Sequence, residues 1–170
     1  MNDLPVRIRP AEMDDLDAVV SVHTAARTAA YREGGVPEGE LDGTEGIVSR
    51  FNGWARAIQL PGKTTLCAEV DGEVVGVLSM ESDAPGTALE LSQIHVRPGQ
   101  WRRGVGGRLH AAYVQALRET GVLTGLVGVW ERNDRARAFY TRLGWRPDGT
   151  VGTTSEGLRC LRLRLDVASA

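Results

Sequence analysis

The sequence predicts a mixed α/β fold, with a largely antiparallel central sheet of about six or seven strands flanked by about four helices. Three observations carry this. Two strand-like runs, residues 64–70 and 73–80, flank Asp71-Gly72, the pair favoured in a two-residue hairpin turn, and a third run follows at 88–96. An amphipathic stretch at 105–119 then leads into the apolar run 123–130, the pattern of a β-α-β crossover. Near the end, Leu161, Leu163 and Leu165 alternate with Arg162 and Arg164, as in a half-buried strand.

Each element has its own local cause. Val6-Arg7-Ile8-Arg9 alternates and stops at Pro10. Met13, Leu16, Val19, Val20, His23 and Ala26 then share a helical face, with Glu12, Asp14 and Asp15 in the first turn, where acids are favoured. Gly34-Gly35-Val36-Pro37 breaks this helix, and residues 38–43 read as an acidic loop. A second helix spans about residues 44–58, with Ile47, Phe51, Trp54 and Ala55 or Ile58 at helical spacing, and Pro61-Gly62 ends it. After the hairpin, Asp83-Ala84-Pro85-Gly86 marks a turn. Val105, Leu109, Ala112, Ala116 and Leu117 form the inner face of the third helix, and Gly121 caps it. The run 123–130 reads as a strand buried on both faces. Asn133 caps a short helix over 134–143, closed by Gly144, and 146–154 reads as a strand and turn.

The 170 residues suit one domain with a real core, expected over residues 4–167. A net charge of −2 offers no basic field, so nucleic acid is not the expected partner. Cys67 and Cys160 lie in apolar strand-like runs without ligand spacing, and are expected as reduced core residues. No metal-ligand cluster is visible. No apolar run reaches ~18 residues and the N-terminus has no signal-peptide pattern, which leaves no membrane span and a cytoplasmic protein as the expectation.

Residues 91–110 carry the first sign of function. Gly104, Gly106 and Gly107 crowd a helix start, although a helical glycine costs ~1 kcal/mol relative to alanine. Arg102 and Arg103 put positive charge at the positive end of the helix dipole. Both oddities are explained by an anionic ligand, which free N–H groups and arginines would hold while the glycines allow close approach. Gly-x-Gly-x-x-Gly fails because Leu109 takes the last glycine position, and no Gly-Lys-Ser/Thr follows, so a nucleotide loop is not indicated.

The loop Trp101-Arg102-Arg103-Gly104-Val105-Gly106, the later run Asn133-Asp134-Arg135-Ala136-Arg137-Ala138-Phe139-Tyr140-Thr141-Arg142-Leu143-Gly144-Trp145 and the order of elements together resemble the GCN5-related N-acetyltransferases, over residues 6–166. The family's loop opens with Gln or Arg; here Trp101 stands there, and the resemblance counts it among the cofactor-binding residues although its own part in that binding is unassigned. The resemblance implies two splayed central strands and acetyl-CoA, or a related acyl-CoA, as donor. It implies that the pantetheine arm runs beside Ile94, His95 and Val96, and that the pyrophosphate sits on the amides of Arg102, Arg103, Gly104, Val105, Gly106 and Gly107. Asn133 and Tyr140 would face the sulfur end. Relatives are often dimers, which makes a homodimer the implied assembly.

The implied reaction is direct attack of an amine on the thioester carbonyl. A backbone N–H at Val96 or a neighbour would serve the oxyanion, and Tyr140 would protonate the thiolate. A lysine amine of pKa ~10.4 needs a base far more than an α-amine near ~7.8. Glu90 is the first candidate base, acting through water; its plain alternative is a solvated strand-end charge. His95 is a second candidate, but alternation places it on the opposite face from Glu90. His23 reads as a satisfied half-buried residue, and His110 has no assigned role. The acceptor, a small-molecule amine or an amine of a peptide or protein, is expected against residues 29–54 and the final strands. Tyr31, Glu33, Glu38, Glu40, Asp42 and Glu45 give the former region acidic character suited to a cationic amine, and Trp130-Glu131 could line the slot. A solvated loop is the plainer reading of these acids. A non-catalytic acyl-CoA-binding module is the alternative to an enzyme.

Overall fold

A computed structural model describes residues 5–168 apart from 42, 43, 83, 85 and 155, together with the side chains of all of these except 44 and 45. The expected domain start at Leu4, the turn residues Asp83 and Pro85, and Asp42 lie outside the described residues, as does the side chain of Glu45. In chain order the elements are β1 (Arg7–Pro10), α1 (Leu16–Glu33), α2 (Thr44–Gln59), β2 (Lys63–Val70), β3 (Glu73–Glu81), β4 (Leu89–Val96), α3 (Val105–Thr120), β5 (Thr124–Trp130), α4 (Asp134–Arg142), β6 (Arg146–Thr153) and β7 (Arg159–Asp166). The seven strands form one sheet in the order β1-β2-β3-β4-β5-β7-β6. Every neighbouring pair is antiparallel except β4 and β5, which the α3 crossover makes parallel. This matches the expected architecture. No helix among the described residues is long and apolar enough to cross a membrane.

Two apolar layers hold helices to the sheet. On one face, Val19, Val20 and Val22 of α1 and Trp54 and Ala57 of α2 pack on Cys67, Val74 and Val77. On the other, Leu109, Tyr113 and Leu117 of α3 and Tyr140 of α4 pack on Leu78, Met80, Leu89, Leu91, Val127 and Leu163. The α3 stripe follows an i, i+4 line through Val105, Leu109, Tyr113 and Leu117 rather than through Ala112 and Ala116, because the bulkiest apolar side chains claim the face that covers most area. In α2 the buried line is Arg50, Trp54 and Ala57, and Ile47 is exposed.

Three further expectations change. Strand β5 is not buried on both faces: Gly125, Val127 and Val129 are covered, whereas Gly128 is exposed and Leu126 half-buried. Cys160 is half-exposed on β7, while Cys67 is fully buried. The third concerns β4. Ser79 pairs with Gln93 but Met80 pairs with Leu91, so Ser92 is an extra residue, a β-bulge. Before it, Leu89 and Leu91 face α3; after it, Ile94 and Val96 do. A one-residue insertion reverses alternation, so Glu90 and His95 point to the same face, towards α1, and not to opposite faces as simple alternation implied.

The parallel ladder between β4 and β5 is short. It comprises Leu89 opposite Gly125 and Glu90 opposite Leu126. Beneath it stands Tyr113, fully buried, its hydroxyl donating to the Leu89 carbonyl at 2.6 Å. Gly125 is required for this: a Cβ there would lie 2.4 Å from the Tyr113 hydroxyl and 3.2 Å from the Trp145 ring. Gly125→Ala is therefore expected to destabilise the protein by about 1–3 kcal/mol, as overpacking does, with a lowered urea midpoint at unchanged m-value as the readout.

Candidate functional site

Beyond Glu90 and Leu126 the two central strands part. Strand β5 stays paired to β7 as far as Trp130, and β4 stays paired to β3 as far as Val96. A cleft therefore opens between residues 91–96 and 127–130. Its β4 edge carries unused main-chain groups. Arg97 donates to Val75 at 2.8 Å, which fixes the phase of the antiparallel ladder. In that phase the main-chain groups of Gln93 and His95 bond to β3, and those of Ile94 and Val96 face the cleft. The His95 backbone is thus spent on the sheet. Of the cleft-facing groups, the Val96 carbonyl is engaged by the indole Nε1 of Trp101 at 2.8 Å.

At the end of β4 the chain turns into α3 through residues 97–104. Arg102 has φ +62° and Gly104 φ +81°, both left-handed, which aims successive N–H groups into one concavity. The amides of Val105, Gly106 and Gly107 have no partner within the helix, since the first α-helical bond there joins the Arg108 N–H to the Gly104 carbonyl. The three glycines have separate causes. Gly104 supplies the left-handed φ. A Cβ on Gly106 would lie 3.3 Å from Phe139, so that glycine serves the approach of α3 to α4. A Cβ on Gly107 would meet nothing within 4 Å, so its openness faces outward, where an anion could approach. Arg102 and Arg103 are exposed, and the first turn of α3 contains no acid. The helix dipole and two cations therefore act together on that concavity.

Across the cleft, α4 begins at Asn133, whose side-chain oxygen accepts from the Ala136 amide at 3.1 Å, so its cap role is filled. Tyr140 lies one helix length further, 5% exposed, packed edge-on against Trp145 and Phe139. Its hydroxyl has no hydrogen-bond partner among the described residues and is not sealed from solvent. Burial raises its pKa above the ordinary phenol value, which keeps the proton on it.

The opposite face of β4 is polar. Glu90, Ser92, Gln93 and His95 line it, with Ser92 donating to Glu81 at 3.2 Å. The His95 ring stacks on His23 of α1 at 4.0 Å, and its Nε2 is 2.6 Å from the Gln93 side-chain oxygen. Trp54 donates to His23 Nδ1 at 2.9 Å. Burial pushes the His95 pKa down to about 4, helped by Arg50. Burial, then His95, Arg50 and Arg27, push His23 to about 2. Both rings are therefore neutral at physiological pH. Glu90 is half-buried and makes no side-chain hydrogen bond or ion pair among the described residues.

Two of the expected surface acids are neutralised by arginines. Glu38 pairs with Arg32, and Glu33 with Arg135. Glu131 at the cleft mouth pairs with Arg159 at 2.9 Å. A residue no sequence pattern singled out, Glu156 between β6 and β7, accepts from Tyr31 at 2.6 Å and from Arg27 at 2.9 Å. Burial would raise the Glu156 pKa, but the Tyr31 hydrogen bond and Arg27 outweigh it and hold it low. Trp130 packs against Tyr31 at 5.0 Å and over Gly34, where a Cβ would lie 2.3 Å from its ring. The other group that sequence reasoning missed is Tyr113, whose i+4 spacing from Leu109 was its only signal.

Comparison with known proteins agrees with this fold. The acetyltransferase (GNAT) family profile matches residues 25–145. An uncharacterized N-acetyltransferase of Lactobacillus delbrueckii subsp. lactis is 32% identical over 93 residues, covering 51% of this chain and 54% of that protein. The chain thus spans about half the length of the curated relatives it matches. The PaiA N-acetyltransferase of Thermoplasma acidophilum, solved in complex with coenzyme A, superposes with TM-score 0.72 at 17% identity, covering 95% of this chain and 99% of that one. The ribosomal-protein-S18-alanine N-acetyltransferase of Escherichia coli gives 0.70 at 20%, covering 98% and 96%.

The buried histidines set a pH dependence. His110 is 6% exposed, accepts from the Trp145 indole at 2.9 Å, and is pushed by burial down to about 4. Unfolded histidine takes up a proton near ~6.5 while the folded ring does not, so the stabilisation is complete above that value and is lost as pH falls towards 4. Between pH 6.5 and 5.5 the loss is about 1 kcal/mol for His110, with the same sign for His23 and His95. Urea unfolding at the two pH values, with imidazole NMR shifts still neutral at pH 5.5, checks it.

Proposed function

The chain belongs to the acetyltransferase (GNAT) family, and we propose that it transfers an acetyl, or related acyl, group from acetyl-CoA to a primary amine by direct attack in a ternary complex. The observation that carries this reading is the adjacency of two features. An unpaired strand edge at Ile94 and Val96 runs directly into an anion concavity at residues 102–107. An extended amide-bearing arm ending in a pyrophosphate matches both at once.

Acetyl-CoA brings the activated thioester. The chain's residues supply the rest. The amides of Arg102, Arg103, Gly104, Val105, Gly106 and Gly107 hold the pyrophosphate, with the two arginine side chains adding charge. Main-chain groups of Ile94 and Val96 hold the arm, and a cleft-facing N–H of Val96 or Ile94 receives the carbonyl oxygen as it becomes an oxyanion. Tyr140 gives its proton to the thiolate when the carbon–sulfur bond breaks. Glu90, through a water, takes the proton that the attacking amine loses, so charge and protons balance. Glu90 shares its strand face with Gln93 and His95, which supports an acceptor bound on the α1 side of the sheet, against neutral imidazoles. Asn133 orients the start of α4 at the cleft rim. The acceptor is a small-molecule amine or an amine of a peptide or protein, and residues 4–167 act as one catalytic domain.

Three measurements test the reading. Desulfo-CoA is expected to raise Tm, and a free-thiol assay over an amine panel to register turnover; absence of any thermal shift at millimolar ligand would sink the proposal. Tyr140→Phe should lower kcat by about 10²-fold while leaving desulfo-CoA affinity near wild type, as loss of a general acid does. Turnover unaffected by both Tyr140→Phe and Glu90→Gln would instead favour a binding module. Gly107→Ala should leave stability unchanged or raise it by up to ~1 kcal/mol, since helical alanine is preferred, yet weaken desulfo-CoA binding because the methyl occupies the approach.

A further inference from the structure

Trp101 rests on an atom that the proposed ligand needs. Its indole N–H donates to the Val96 carbonyl at 2.8 Å, and that carbonyl faces the cleft. After the bulge, β4 offers the cleft only two carbonyls, those of Ile94 and Val96, so one of them is already satisfied by the protein's own side chain. A carbonyl has two lone pairs, but here its partner is a bulky ring whose N–H reaches that oxygen from close beside it. An arriving amide must therefore compete with it for space as well as for the oxygen.

The ring is held from a second direction. The Arg135 guanidinium lies 3.8 Å from the Trp101 ring centroid, a cation–π stack across the cleft mouth from the start of α4. Arg135 in turn forms a two-pronged ion pair with Glu33 in the last turn of α1, one prong Nε to Oε2 at 3.3 Å and the other Nη2 to Oε1. Three residues earlier, Arg132 donates to the Gly34 carbonyl at 3.0 Å. One line of contacts thus runs from the edge of β4, through the indole, to α4 and on to the end of α1. Trp101 is half-buried within it, not a stray surface ring.

We propose that Trp101 is a displaceable latch on the donor cleft: binding of an acyl-CoA moves its indole off the Val96 carbonyl and off Arg135, which couples occupancy of the cleft to α1 on the acceptor side through the Arg135–Glu33 pair. The proposal rests on the acyl-CoA reading. Its logic is that of substituted donors. The indole satisfies a carbonyl that faces the cleft, and with an acyl-CoA bound a pantetheine amide would do so instead. Because the indole must leave, it opposes binding. Coupling is reciprocal, so a residue that strengthens the Arg135–Glu33 pair without the indole would favour the ligand-bound arrangement.

The sign of this effect separates a latch from a structural residue, whose removal only weakens binding. Titration calorimetry with desulfo-CoA is expected to give Trp101→Phe, which keeps a ring for Arg135 but lacks the N–H, an affinity about five-fold tighter than wild type, the worth of one hydrogen bond. In wild-type protein the Trp101 indole ¹H–¹⁵N resonance should move on addition of desulfo-CoA, as its hydrogen bond to Val96 is lost. That measurement decides the matter alone should the variant not fold. Unchanged or weaker binding by folded Trp101→Phe, or an indole resonance that stays in place as wild type binds, overturns the latch and leaves the acyl-CoA reading intact. Wild-type protein that binds no desulfo-CoA overturns both.

Discussion

The hydroxyl of Tyr113 stands between two parallel strands, donating to the Leu89 carbonyl of β4 and lying against Gly125 of β5. Much of the site follows from that position. The strands are joined at their base, where the phenol reaches them, and are free to part above it. The phenol needs a strand without a side chain beside it, which Gly125 provides, and a flat surface to lean on, which Trp145 provides at 5.9 Å. Trp145 is anchored in turn by donating to His110, one turn earlier on the same helix as Tyr113. A buried polar group is tolerated only when its hydrogen bonds are met, and each of these three residues meets the needs of another.

The parting of β4 and β5 divides the labour along one strand. A paired strand would have spent Ile94 and Val96 on a neighbour; an unpaired one would have left the sheet. Held by β3 on one side only, β4 keeps its shape and exposes one row of main-chain groups. The helix that follows begins at the end of that row, so an unpaired strand edge and a concavity of free helix-start amides adjoin in consecutive residues. The bulge at Ser92 adds a second consequence. It keeps Ile94 and Val96 on the apolar side with Leu91, and gathers Glu90, Gln93 and His95 on the side facing α1.

That polar side is arranged to be neutral where neutrality matters. Two imidazoles stacked at 4.0 Å cannot both hold a proton without strong repulsion, and burial disfavours the charge on each. Apart from Glu90, three acids around the cleft are tied to arginines across chain distances: Glu33 to Arg135, Glu131 to Arg159, Glu156 to Arg27. Exposed pairs of this kind add little stability. Their effect is spatial: Glu33–Arg135 and Glu156–Arg27 tie α1 to elements across the cleft, while Glu131–Arg159 ties the end of β5 to its neighbour β7.

Periodicity and turn chemistry were enough to read every strand and helix, and the glycine and arginine pattern was enough to single out the turn into α3, because these signals come from residues close together in the chain. Sequence alone could also place Asn133 as a cap and Tyr140 on an apolar helix face. It could not show that Ser92 is an extra residue, since a bulge is defined by the partner strand, and so it set His95 on the wrong face. Nor could it give Trp101 a role, because the Val96 carbonyl and the Arg135 side chain meet that ring only when β4 and α4 stand on either side of the cleft. The division of the three loop glycines among a left-handed turn, a contact with Phe139 and an open approach is likewise a fact of packing. Local chemistry determined the parts; which atoms are spent on the sheet and which are left for a ligand was decided by the strands that lie beside them.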